Sequence, residues 1–161
     1  MRFLTRKFAE DKLDSFKADL QYSVYLRHLD EIKTDLPSSV AGFAFQAPGF
    51  GLRGLRLVDV LEDAGLKTLN LTLDVPNDEP QLFVEIIYSG VNIDGIEEGS
   101  LAKLEEQESE LLADEFDLAP QDRFEHRLLF APNGEIAVQF RGFEVKVIRP
   151  DDLDSDHSEH Q

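Results

Sequence analysis

Phe124-Glu125-His126-Arg127-Leu128-Leu129-Phe130, and after it Asn133-Gly134-Glu135-Ile136-Ala137-Val138-Gln139-Phe140, is the stretch that decides the fold. Phe124, His126, Leu128 and Phe130 alternate with Glu125 and Arg127. Successive side chains of a strand point to opposite faces, so this spacing predicts a half-buried strand. Asn133-Gly134 is a strong hairpin-turn signal. Ile136, Val138 and Phe140 return on the same period, and Phe143, Val145 and Val147 continue it. Arg141-Gly142 between them reads as a second tight turn or a bulge, and Pro150 ends the block.

Upstream, residues 112–118 are strand-like, and residues 82–88 are apolar on both faces, which predicts a central strand. Val91 and Ile93 are read as extending that strand past Gly90. Leu69, Leu71, Leu73 and Val75 alternate with Asn70, Thr72 and Asp74, another half-buried strand. Residues 57–61 either pair with it across residues 62–67 or form a short helix closed by Gly65, and both readings stay open. Pro76-Asn77-Asp78-Glu79-Pro80 is a turn by composition. Residues 38–54, rich in Gly, Pro, Ser and Phe, read mainly as loop with a short strand at residues 40–45.

The N-terminal region follows a different period. Residues 5–36 carry two apolar stripes at helical spacing: Ala9, Leu13, Phe16, Leu20, Val24, and Tyr22, Tyr25, Leu26, Leu29, Ile32, Leu36. Thr5 can cap the start, and Pro37 disfavours helical geometry at Leu36. The stripes face differently because two residues of helix turn the side chain by about 200°. Either the helix breaks near residues 21–23 or one long helix is covered on two sides.

Strands in succession joined by short turns favour antiparallel pairing. The expected fold is therefore α+β, with N-terminal helices packed on an antiparallel β-sheet or small β-sandwich. Residues 1–150 are expected to form one domain, helical over 1–36 and mainly β over 57–148, with the acidic residues 94–110 either a helix striped by Leu101, Leu104 and Leu111 and capped by Ser100, or a loop. Residues 151–161 read as a disordered acidic tail. Leu (23), Ile (7), Val (10) and Phe (12) together make about a third of the 161 residues, enough to bury a core.

Charge narrows the function. The net charge is −17, which argues against nucleic-acid binding and against docking on an anionic membrane surface. Residues 94–117 hold ten acids and only Lys103, and residues 151–161 hold five acids and no base, whereas residues 1–36 balance seven acids with seven bases. The absence of cysteine removes disulfides, thiolate zinc sites and a cysteine nucleophile. No apolar run approaches the roughly 18 residues of a membrane span, and the charged N-terminus does not read as a signal peptide, so a cytoplasmic location is expected.

Few motifs carry chemistry. Gly49-Phe50-Gly51-Leu52-Arg53-Gly54 matches the dinucleotide fingerprint, and Asp74 lies 20 residues beyond Gly54. Gln46-Ala47-Pro48 stands where the preceding strand should run, so a Gly-rich loop and an outward-facing strand Asp are the preferred reading, with no cofactor. Asp114, Glu115 and Asp117 could furnish a carboxylate pair, although a solvated strand face is the plainer reading. His126 among apolar residues is expected to be a satisfied, partly buried histidine, and His28 a packed one. His157 and His160 with Asp154, Asp156 and Glu159 could hold a divalent metal only against a large ordering cost, so no metal is expected.

The residues 112–118, 124–130 and 135–140 look like those of small uncharacterised bacterial proteins. Residues 69–75 followed by 82–91, which end in Gly90-Val91, are similar in rhythm to some bacterial toxin-immunity proteins. This resemblance covers residues 57–148 and implies no catalytic residues. The expected function is a non-enzymatic protein-binding module, an immunity or inhibitor protein against a basic toxin, with Glu105, Glu106, Glu108 and Glu110 at the contact. Two alternatives are a small hydrolase using Asp114 or Asp117 with His126, and a structural module whose acidity serves solubility. Oligomeric state is not legible.

Overall fold

The computed structural model describes residues 1–76 and 80–149. It shows an α+β fold: N-terminal helices and two antiparallel sheets. Sheet A is four-stranded in the order β1 (Arg56–Asp63), β2 (Thr68–Val75), β3 (Leu82–Ser89) and β7 (Gly142–Ile148). Sheet B is three-stranded in the order β4 (Leu111–Ala119), β5 (Arg123–Phe130) and β6 (Gly134–Phe140).

The two sheets are tied at both ends. At one, β6 runs into β7 through Arg141 alone, so the chain turns a corner from sheet B into sheet A. Gly142 leaves room there for Ser89 Oγ, which a Cβ at this position would force to turn away. The Arg141-Gly142 step is therefore neither a hairpin turn nor a bulge within one sheet. At the other end, Gly54 N donates to Leu111 O at 2.9 Å and Leu111 N to Leu55 O at 2.8 Å, beside an Arg56–Glu110 bridge.

The alternating strands behave as their spacing demands. Leu69, Leu71 and Leu73 of β2 are fully buried, as are Leu128, Val138 and Phe140 of sheet B. Residues 57–61 resolve as strand, paired along β2 from Arg56↔Asp74 to Asp63↔Thr68. β3 lies between β2 and β7, the central position expected of a strand apolar on both faces. It stops at Ser89 rather than continuing through Val91 and Ile93, because Gly90 takes φ 59° and a 3-10 turn follows at Ile93–Gly95. Pro76 enters a turn as its composition predicts, while residues 77–79, 150 and the whole of 151–161 lie outside the described residues. The expected disordered tail and the residues of its metal reading fall there.

The N-terminal region departs from both expected forms. Thr5 does cap a helix, accepting from Phe8 N, but this α1 (Arg6–Ala9) is a single turn. The break comes at residues 10–14, and Asp14 then caps α2 (Ser15–Ile32), which runs unbroken through residues 21–23. A 3-10 turn at Lys33–Asp35 ends at Leu36, extended before Pro37 as expected. Tyr25, Leu29 and Ile32 bury against the core; of the other stripe Ala9 is buried, while Phe16, Leu20 and Val24 on α2 stay exposed. Residues 38–44 are not loop or strand but α3 (Ser38–Ala44), with Val40 and Ala44 buried one turn apart. Pro37 at the N-cap and that pair of inward side chains outweigh the Gly and Ser content. The acidic segment contains α4 (Ser100–Glu106), whose Leu101 and Leu104 are buried. Its cap is Gly99 in the left-handed region, and Ser100 Oγ instead donates to Glu97 O at 2.7 Å.

α2 packs against β4, α3 against β7, and α4 against β1 and β6. One core cluster draws on both sheets and on all three of these helices. Among the described residues, no helix is long and apolar enough to cross a membrane.

Candidate functional site

The acids of β4 do not form a solvated strand face. Asp114, Glu115 and Asp117 are all buried: α2 and residues 2–4 cover Glu115 and Asp117 on the side that a lone hairpin would leave to water, and Asp114 lies on the other face. A buried carboxylate needs partners, and each has at least one, although Asp114 Oδ1 has none among the described residues. Glu115 accepts from three consecutive backbone amides, Arg2 N at 3.1 Å, Phe3 N at 2.8 Å and Leu4 N at 2.7 Å. Asp117 bonds His28 Nε2 at 2.7 Å and accepts from Arg2 Nη1 at 2.8 Å. His28 is packed as expected, stacked on Phe3 with ring centroids 4.5 Å apart. The N-terminal arm is thus strapped across β4 by two carboxylates.

Asp114 points the other way, into the space between the sheets. Its Oδ2 lies 2.7 Å from His126 Nε2, and His126 Nδ1 lies 2.7 Å from the Tyr88 hydroxyl. In the neutral ring, Nε2–H donating to the carboxylate leaves Nδ1 to accept from the tyrosine, so the three groups specify one tautomer. Phe116 stacks on the imidazole at 4.0 Å, and Phe143 meets it edge-on. Burial, reinforced by the Asp114 charge, pushes the Tyr88 phenol well above its ordinary value. The Tyr25 phenol is also pushed up, chiefly by burial, although it accepts from Phe116 N at 2.9 Å.

The structure therefore joins two residues of the hydrolase alternative, Asp114 and His126, and sends the third, Asp117, to His28. The sequence named neither Tyr88 nor His28 as a partner of these acids. His126 is 0% exposed and Asp114 2%. The arrangement orients the imidazole and joins sheet A to sheet B, and it offers a substrate no approach to either group.

The acidic segment does meet solvent. Between β1 and α4 lies an open-sided groove of about 640 Å³. Val60, Ile93, Ile96 and Leu101 supply its apolar surface, and Glu62, Asp94, Glu97, Glu98 and Glu105 line it with negative charge. None of these five acids has an ion-pair partner among the described residues. Of the four glutamates singled out from sequence, Glu105 lines the groove, while Glu106, Glu108 and Glu110 are exposed along and just beyond the C-terminal end of α4. Glu62 lies far from the acidic run in sequence and joins it through the packing of α4 on β1.

The Gly-rich motif is a loop that leads into β1 rather than into a helix, so it lacks the helix N-terminus that would receive a pyrophosphate. Its first glycine has a packing role. Gly49 takes φ 81°, accepts from Asp114 N, and lies so close to Leu4 that a Cβ would sit 2.5 Å from Leu4 Cδ1. Asp74 does not face outward to solvent: it is buried and accepts from Arg56 Nη2 and Gln81 Nε2, both at 2.8 Å. Among the described residues, no group of three or more His, Asp or Glu side chains could hold a metal ion. No protein-family model matches this chain, and no curated protein matches it.

Proposed function

We propose that the chain is a non-enzymatic protein-binding module that takes a basic, partly apolar surface of a partner protein into the groove between β1 and α4. The observation that carries this reading is the groove itself: five carboxylates, without an ion-pair partner among the described residues, around an apolar floor. A lysine or arginine side chain fits both parts, because its aliphatic stem covers apolar surface while its charged head reaches the carboxylates. The negative field of residues 94–117 would speed the encounter and would favour basic partners over acidic ones. An inhibitor or immunity role against a basic toxin is the specific form of this proposal, and cytoplasm is the compartment it assumes.

The test is capture from the native cell at low and moderate salt, followed by titration of the captured protein against variants. A stoichiometric basic protein that is lost progressively with salt is the expected result. Replacing Glu62, Glu97, Glu98 and Glu105 together by Gln should then weaken the complex and flatten its salt dependence. Replacing Glu106, Glu108 and Glu110 should do less, because these lie outside the apolar floor. Binding unchanged by the groove variant would remove the assignment.

A further inference from the structure

Sheet A ends on an open edge. β7 pairs with β3 from Phe83↔Ile148 to Ser89↔Gly142 with no register shift, and no strand lies on its other side among the described residues. Its seven residues, Gly142-Phe143-Glu144-Val145-Lys146-Val147-Ile148, hold no proline and no bulge. Such an edge offers a row of backbone donors and acceptors to another strand, and charged side chains commonly block that pairing. Glu144 and Lys146 stand in this position, with side chains 60% and 55% exposed. Whether they block depends on the strand that arrives.

A second β7, antiparallel about a two-fold axis, matches these charges in one register. Directly opposite side chains share a face of the sheet, so the two-fold registers differ by steps of two residues. With Val145 opposite Val145, all seven residues pair, and Glu144 of each copy faces Lys146 of the other. One step to either side sets Glu144 opposite Glu144, or Lys146 opposite Lys146. Unlike charges directly opposite stabilise a strand pair and like charges destabilise it. Within one chain Glu144 and Lys146 approach only to 3.9 Å, and Glu85 of β3 stands opposite Lys146. In the self-paired register Lys146 lies between that Glu85 and Glu144 of the second copy. The other face fits as well. Val147 is 55% exposed, and in this register it meets Phe143 of the second copy. A groove of about 570 Å³ runs here between β7 and α3, with Glu144 the only charged residue lining it among the described ones. α3 lines it in part with the small residues Ser38, Ser39 and Gly42, and a Cβ on Gly42 would meet nothing within 4 Å, so the helix leaves space at that point.

We infer that β7 is the contact of a symmetric dimer, in which two copies of the four-stranded sheet A join into one continuous antiparallel sheet with Val145 on the two-fold axis. The acidic segment does not oppose this. α4 packs on β1, the opposite edge of sheet A. Three strand spacings, about 14 Å, separate that edge from β7, against a screening length of about 8 Å at physiological salt. The β1–α4 groove of each copy then lies at an outer end of the joined sheet, so the dimer presents two of them. The inference does not rest on the function proposed for that groove.

The test is sedimentation equilibrium of the full chain over a concentration series from micromolar to millimolar, with amide hydrogen exchange on the same samples. A dimer should form with rising concentration, and the outward-facing amides of residues 142–148 should gain protection as it does. Lys146→Glu and Glu144→Lys each set like charges opposite at both symmetric pairs, and each should weaken the dimer about tenfold. Mixing the two variant chains sets unlike charges opposite again, so the mixed dimer should recover the lost affinity. A chain carrying both substitutions should recover it too. Both side chains are exposed, so neither substitution disturbs the core. A chain that stays monomeric across the series, a dimer that neither substitution weakens, or no gain on mixing would overturn the proposal. Outward β7 amides protected equally at every concentration would overturn it as well, by assigning the edge to another part of the same chain.

Discussion

The acids of β4 and the acids just before them are the same residue types, a few positions apart, and they meet opposite fates. Glu105, Glu106, Glu108 and Glu110 stand on or just after α4 and point largely to water. Asp114, Glu115 and Asp117 lie on β4, and every one is buried with named partners. The first group costs a little through like-charge crowding and is free to act on something outside. The second group is desolvated, so its value lies in the partners it holds: two imidazoles, a guanidinium and three backbone amides. Charge in the sequence thus marks two different things here, an outward field and an inward set of ties.

The largest expected effect comes from breaking an inward tie. His126→Ala leaves the Asp114 carboxylate buried without its imidazole and opens a cavity beside Phe116. It should lower the unfolding free energy by about 3–5 kcal/mol, as read from urea denaturation. A loss below about 1 kcal/mol would mean that Asp114 finds water or another partner, and the contrast between the two acid groups would weaken.

Next is the strap. Glu115→Ala removes the acceptor of three amides and should cost about 2–3 kcal/mol. It should also raise hydrogen exchange at Arg2, Phe3 and Leu4 while leaving β5 and β6 protected, a pattern that a general loss of stability would not produce.

The buried phenols sharpen the comparison at the alkaline end. Tyr25 and Tyr88 titrate above their ordinary value of 10.0 in the folded chain. Unfolded tyrosines release their protons first as pH rises, so the folded state binds more protons than the unfolded one. The contribution is fully present below pH 10 and is lost above it, at up to about 1.4 kcal/mol per pH unit for each tyrosine. Urea midpoints measured on either side of pH 10 should show the fall, and Tyr25→Phe should reduce its slope by about half. An unchanged slope would place the alkaline sensitivity elsewhere.

The smallest effect belongs to the outward group. Glu106→Gln, Glu108→Gln and Glu110→Gln should each move stability by less than about 0.5 kcal/mol. Thermal unfolding of the triple variant would check this. A marked loss would show that these side chains hold structure as well as field.

Reading the strands from sequence succeeded because a period of two is a local property. Leu69, Leu71 and Leu73, or Ile136, Val138 and Phe140, carry their own burial instruction, and Asn133-Gly134 carries its turn. α3 escaped that reading because its seven residues span only two turns, too short for Val40, Phe43 and Ala44 to show a helical period above the Gly and Ser around them. The two stripes of α2 were both legible, yet nothing local ranks one above the other. The candidate groove was half legible: Glu97, Glu98 and Glu105 sit in an evident acidic run, whereas Glu62 and Val60 arrive from another strand.

Sequence alone determined the α+β class, the strand-rich C-terminal half, the helical N-terminus and the placement of the charge. The tertiary structure decided that Arg141-Gly142 is a corner between sheets, that one stripe of α2 stays uncovered, and that three acids on β4 turn inward. The reason is range. Helical and strand periods are written within a few residues, but Tyr88 meets His126 from 38 residues away, and Leu4 meets Glu115 from 111. Whether a carboxylate faces water or a histidine depends on segments whose meeting no local pattern encodes.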